Sequence, residues 1–131
     1  AVAAGEALSR TQLAQALAAS LAKRSHMLKL LAMNLYDLEE NSRMERLVDF
    51  KRVYGASIRA VEACLARLAP PMDRAEQEAF LYSFFPFVYG IYPYAVATEK
   101  QSGAMAQAQV PMTLRPVYEI ALTGTRKLLG A

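Results

Sequence analysis

Apolar positions recur at helical spacing along most of the chain. Over Arg10–Arg24, Leu13, Leu17 and Leu21 fall four apart in an alanine-rich background, and Ser9 stands where an N-cap belongs, which predicts a first helix. A second segment opens at Ser25, with Met27, Leu28, Leu30, Leu31, Leu35 and Leu38 outlining a broad apolar face to about Glu40 and Asn41 as a left-handed stop. Ser42-x-x-Glu45 has the form of a capping box, in which serine and glutamate each satisfy a free donor of the first turn. It predicts a third, longest helix, where Leu47, Phe50, Tyr54, Ile58, Val61, Leu65 and Leu68 alternate steps of three and four until Pro70–Pro71 end it. Asp73-x-x-Glu76 is a second capping signal, and Asp73, Glu76 and Glu78 sit where the helix dipole favours acids.

The pattern then changes. From Ala79 to Thr98 the sequence is AFLYSFFPFVYGIYPYAVAT, twenty residues without a charge. Two readings are open. The run has the length of a membrane-spanning helix, or it is a helix covered by protein on nearly every side. Four tyrosines, a serine and two prolines inside it, with acidic residues at its front edge, favour the second. Phe80, Phe84, Phe87, Ile91 and Tyr94 follow one face, Leu81, Phe85, Val88 and Tyr92 make the stripe beside it, and Ala79, Ser83, Pro86, Gly90, Pro93 and Ala97 form a small-residue third side. Pro86 and Pro93 predict a bent helix with a gap beside it. Covering so much apolar surface asks for a second copy of the chain.

Lys100–Met112 shows no period and reads as a loop. A last helix is expected from about Thr113, with Pro116 in its first turn, Val117, Ile120, Ala121, Gly124 and Leu128 on its apolar side, and Gly130 as its stop. No strand pattern occurs. The fold class expected is all-α, about five helices in one domain over residues 1–131.

Composition narrows the function classes. At 131 residues the chain can bury a core without staples. Its net charge of +3 is spread among interleaved acids, the pattern of a solvated surface rather than a nucleic-acid footprint. The first residues lack the basic start and apolar core of a secretory signal, which fits a cytoplasmic protein, and without an initiator methionine a truncation or proteolytic product is expected. One cysteine and one histidine cannot build a structural metal site or a nucleophile–histidine set. Cys64 reads as a small core hydrophobe, His26 as an edge residue, and Asp37, Glu39 and Glu40 as a solvated helix end. Neither an enzyme nor a metal or other cofactor is implied. The aromatic residues remain: Tyr36, Phe50, Tyr54, Phe84, Val88, Tyr89 and Tyr92 suit either a small-molecule cavity between the long helix and the bent one or plain core packing.

At Leu38–Lys51 the sequence LEENSRMERLVDFK resembles the C-terminal regulatory domain of TetR-family transcriptional repressors, with its leucine–glutamate pair, asparagine, capped turn and Phe-Lys pair. FVYGIYPYA is similar to the family's aliphatic-Gly-x-aromatic-Pro segment, Tyr92–Pro93 standing where Trp-Pro is common. The likeness extends over almost the whole chain. It implies an effector-binding and dimerisation domain that acts on DNA only through an N-terminal helix-turn-helix domain, which this sequence does not include. It also implies a homodimer through the last two helices, for which Phe87, Gly90, Ile91, Tyr94, Val117, Ile120, Gly124 and Leu128 are the candidate contacts, and a small apolar or aromatic effector. Two alternatives stay open: a stand-alone helical carrier bundle, and a small membrane or cofactor protein.

Overall fold

The computed structural model describes residues 6–33, 40–41 and 43–131. Its described helices are α1 (Arg10–Ala22), α2 (Ser25–Ala32), α3 (Met44–Leu65), α4 (Arg74–Tyr89), α5 (Tyr92–Ala95), α6 (Glu99–Gln107) and α7 (Val117–Leu129). No β-strand occurs among the described residues, so the all-α class holds.

Helix α1 starts where local chemistry dictates. The Ser9 hydroxyl accepts from the Gln12 amide (3.1 Å) and the Gln12 side chain accepts from the Ser9 amide (2.9 Å), a complete capping box. Its buried side, Leu13, Ala14, Ala18 and Leu21, is half alanine, so α7 lies close against it with Ala121, Thr125 and Leu129. This is the most extensive helix pair of the fold. Arg10 fastens it: the guanidinium donates to the Leu129 carbonyl at 2.8 Å, one of the acceptors a helix end leaves open, and reaches Glu76 of α4 at 3.6 Å. Leu8 is clamped to the segment after α3 by backbone bonds to Arg67 and Ala69, both 2.8 Å. The core these elements share contains Leu8, Leu13, Leu28, Val61, Leu65, Leu68, Met72, Phe80, Phe84, Val88 and Ile91.

Four differences from the sequence pattern have physical causes. The uncharged run is not one bent helix: α4 stops at Tyr89, with Gly90 as its C-cap, and α5 begins at Tyr92 with Pro93 in its first turn, where a missing N–H has no partner to lose. Pro86 does lie inside α4. Residues 99–107 are helical, not loop. The Thr98 hydroxyl accepts from the Gln101 amide (3.1 Å) and the Gln101 side chain from the Thr98 amide (2.9 Å), and alanine, glutamine and methionine carry the helix onward. Helix α7 begins at Val117 rather than Thr113, since Pro116 biases the residue before it away from helical dihedrals and is itself the N-cap. Helix α3 ends at Leu65, ahead of the prolines, because Leu68 is drawn into the bridge with Leu8.

Among the caps, Asp73 accepts from the Glu76 amide at 2.8 Å and Gly130 ends α7 in the left-handed region at φ 74°, both as the sequence predicts. Asn41, expected as a stop, is helical. Ser42, Leu35 and Leu38 lie outside the described residues, and the N-cap of α3 is Arg43, without a side-chain cap. No described helix is long and apolar enough to cross a membrane.

Candidate functional site

The site forms where α3 loses its cover. Leu65 and Val61, near the C-terminal end of α3, are buried; Ile58 and Tyr54 are half-buried; Phe50 is 37 % exposed. The apolar face is therefore less covered at Ile58, Tyr54 and Phe50 than at Val61 and Leu65, with Leu47 half-buried again near the N-terminus. Opposite it runs α4, whose residues sort by helical period into distinct sides. Phe80, Phe84 and Val88 point into the core, and Phe85 and Tyr89 are half-buried on the side toward α3.

Between Tyr54, Phe85, Pro86 and Tyr89 lies an open apolar groove of about 410 Å³. Its rings are in register with the core. Tyr54 meets Phe85 edge-on (centroids 5.4 Å apart, 72°), Phe85 meets Phe84 edge-on (5.4 Å, 79°), and Phe84 stacks on Phe80 (5.2 Å, 18°). Such pairs prefer these geometries because the negative ring face attracts the positive ring edge. The Lys51 ammonium sits 5.8 Å from the centroids of both Phe50 and Tyr54, within the range of a cation–π attraction. The groove thus has aromatic walls and a cation beside one of them.

Of the residues expected at a cavity, the groove brings together Tyr54 and Tyr89. Phe84 and Val88 are 3 % and 4 % exposed and lie behind the lining, because they share the core-facing side of α4 with Phe80. Phe50 flanks Lys51 outside the lining, Tyr92 is half-buried on α5, and Tyr36 lies outside the described residues. Sequence reasoning missed Phe85 and Pro86. Phe85 was visible as a member of the second aromatic stripe, and Pro86 as the residue beside which a gap was expected.

The residues expected at a dimer contact divide as well. Ile91 is 1 % exposed, inside the core of its own chain. Phe87 packs on Gly124 within the chain, so closely that a Cβ at 124 would lie 2.7 Å from Phe87 Cε1. Val117, Ile120 and Leu128 are half-buried beside them, Gly90 is exposed, and Tyr94 is 72 % exposed. The outward side of α4, Ala79, Ser83, Pro86 and Gly90 with Tyr82 at 82 % exposure, carries no charge.

A second concavity, of about 630 Å³, lies along the outer face of α1 between Gln12, Gln15, Ser20, Lys23 and Tyr118. It is polar and mixed in character, and no residue expected at a site lines it. His26 is exposed and Cys64 is half-buried against the core. Among the described residues no three His, Cys, Asp or Glu side chains gather closely enough to hold a metal.

Comparison with known proteins yields one family match: the family described as tetracyclin repressor-like, C-terminal domain, matches residues 1–119. No curated protein and no solved structure matches the chain.

Proposed function

Since the chain belongs to the tetracyclin repressor-like C-terminal domain family, we propose that it is the effector-sensing and dimerisation domain of a cytoplasmic transcriptional repressor. One domain over residues 1–131 binds a small apolar or aromatic effector, forms a homodimer, and acts on DNA through a helix-turn-helix domain N-terminal to it. No chemical step is part of this role. The effector site is the groove between α3 and α4, with Tyr54, Phe85, Pro86 and Tyr89 as its walls, Phe84 and Val88 supporting them from the core, and Phe50 and Tyr92 at the periphery.

The observation that carries this reading is the uncovered inner face of α3 opposite an aromatic row. A ligand filling the groove contacts both helices and favours the arrangement in which they approach. The dimer contact uses the adjoining, uncharged side of α4 with Tyr94, and the half-buried row Val117, Ile120 and Leu128 of α7. Effector and partner then share one element, which is the physical basis for coupling two sites.

Calorimetric titration with 2-naphthol tests the site. We expect saturable binding, and Tyr54→Ala and Phe85→Ala each to weaken it about tenfold, the loss of a buried aromatic contact. Unchanged affinity in both variants would remove the groove from consideration.

A further inference from the structure

The clasp at the start of α1 touches the far ends of both helices that wall the groove. Helices α3 and α4 form a hairpin: Tyr54 and Phe85, whose rings meet, each stand about three turns from the joined ends at Leu65 and Arg74. The groove therefore opens roughly 16 Å from the joined ends, and an approach of its walls by about 2 Å is a tilt of about 7° between the helices. At the joined ends the chain from Leu8 to Arg10 holds the two helices by contacts of unequal strength. On the α3 side the Leu8 amide donates to the Arg67 carbonyl and the Ala69 amide to the Leu8 carbonyl, both at 2.8 Å. On the α4 side Arg10 Nη2 lies 3.6 Å from Glu76 Oε2, beyond the reach of about 2.7–2.9 Å usual for a charge-assisted hydrogen bond. The same guanidinium donates through Nη1 to the Leu129 carbonyl of α7 at 2.8 Å. A tilt of α4 is thus taken up first at Glu76, while Arg10 stays with α7 and the end of α3 stays with Leu8.

Resting on the assignment of this groove as the effector site, we infer that the Arg10–Glu76 pair is a latch, which holds α4 in the open position of the groove and lets go when the walls close on a ligand. The α1–α7 pair, the most extensive helix contact of the fold, is then the fixed frame, and α4 is the part that moves. Ligand and latch favour different positions of α4, so each weakens the other by the same factor, and removing the latch tightens binding. The effect is modest, because the Arg10 and Glu76 side chains are 23 % and 49 % exposed and water screens such a pair. The neighbouring pair Arg74–Glu78 has the same separation, 3.6 Å, but lies within α4 and moves with it, so it cannot act as a latch.

Calorimetric titration of the full chain with 2-naphthol, a neutral probe, reads the latch through affinity and salt. Glu76→Gln keeps the size of an exposed side chain and should bind about two- to fivefold more tightly than wild type, with the far-UV circular dichroism unchanged. Sodium chloride screens the pair, so wild-type affinity should rise with salt, and by less in Glu76→Gln. Glu78→Gln removes the same charge from the same helix and should match wild type at every salt concentration. Affinity of Glu76→Gln equal to or below wild type, or an equal gain in Glu78→Gln, overturns the latch while the groove stands. If 2-naphthol binds none of the three chains, the groove itself fails as the site, and the latch with it.

Discussion

Gly124 shows how a single missing side chain fixes a helix contact. It is a glycine inside α7, where alanine would ordinarily stabilise by roughly 0.5–1 kcal/mol. Here the Phe87 ring occupies the space a methyl group would need. We therefore expect Gly124→Ala to lower the urea midpoint, with overpacking of about 1–3 kcal/mol outweighing the helical gain, and Phe87→Leu in the same chain to restore part of the loss. A raised midpoint in the single variant would mean that the ring yields freely. One residue further, the fully buried Thr125 hydroxyl has no hydrogen-bond partner among the described residues. Replacement by valine keeps the shape and removes an unsatisfied polar atom, so Thr125→Val should leave stability unchanged or raise it by about 1 kcal/mol; a marked loss would reveal a partner for the hydroxyl. The sequence put Gly124 on the apolar side of the last helix and among the candidate dimer contacts. It could not say that the approaching group is a ring from the same chain, because that depends on how α4 and α7 cross.

At the scale of elements, legibility follows how local the determining forces are. The Ser9 and Asp73 caps and the Gly130 stop were readable because each is decided within a few residues. The break at Gly90 was not. Whether a proline-containing helix bends or stops depends on what lies beneath it, and here Ile91 turns into the core, which ends α4 and restarts the chain as α5. Helix α6 escaped notice for another reason: it buries no residue, so no apolar period exists to be found, and its Thr98–Gln101 box is the only strong local signal. A helix of nine residues held by its own cap is marginal in water. Amide hydrogen exchange should therefore be fast from Ser102 to Gln107 and slowest in α1 and α7, whose facing sides are fully packed. Protection of α6 equal to that of α1 would show that another surface covers it. The groove was half legible for the same reason as the breaks: the sequence supplies the aromatic stripes, but which stripe α3 leaves uncovered is set by where α3 meets the core.

For the whole molecule, the proposed sensing and the proposed assembly both fall on α4. Phe85, Pro86 and Tyr89 line the groove, Phe80, Phe84 and Val88 fill the core, and Ala79, Ser83 and Gly90 face outward without charge. Two adjacent residues separate assembly from folding. Gly90 is exposed, has an ordinary φ of −99°, and a Cβ there would come no closer than 3.7 Å to the Phe87 carbonyl. Gly90→Arg should leave the monomer folded while placing an unpaired charge in the proposed interface, so the chain is expected to sediment at half the wild-type mass with unchanged helical content. Ile91→Arg, one position on, drives the same charge into the core and should abolish the cooperative unfolding transition altogether. If Gly90→Arg still sediments as a dimer, the outward side of α4 is not the contact, and α4 cannot be the element through which effector and partner are coupled.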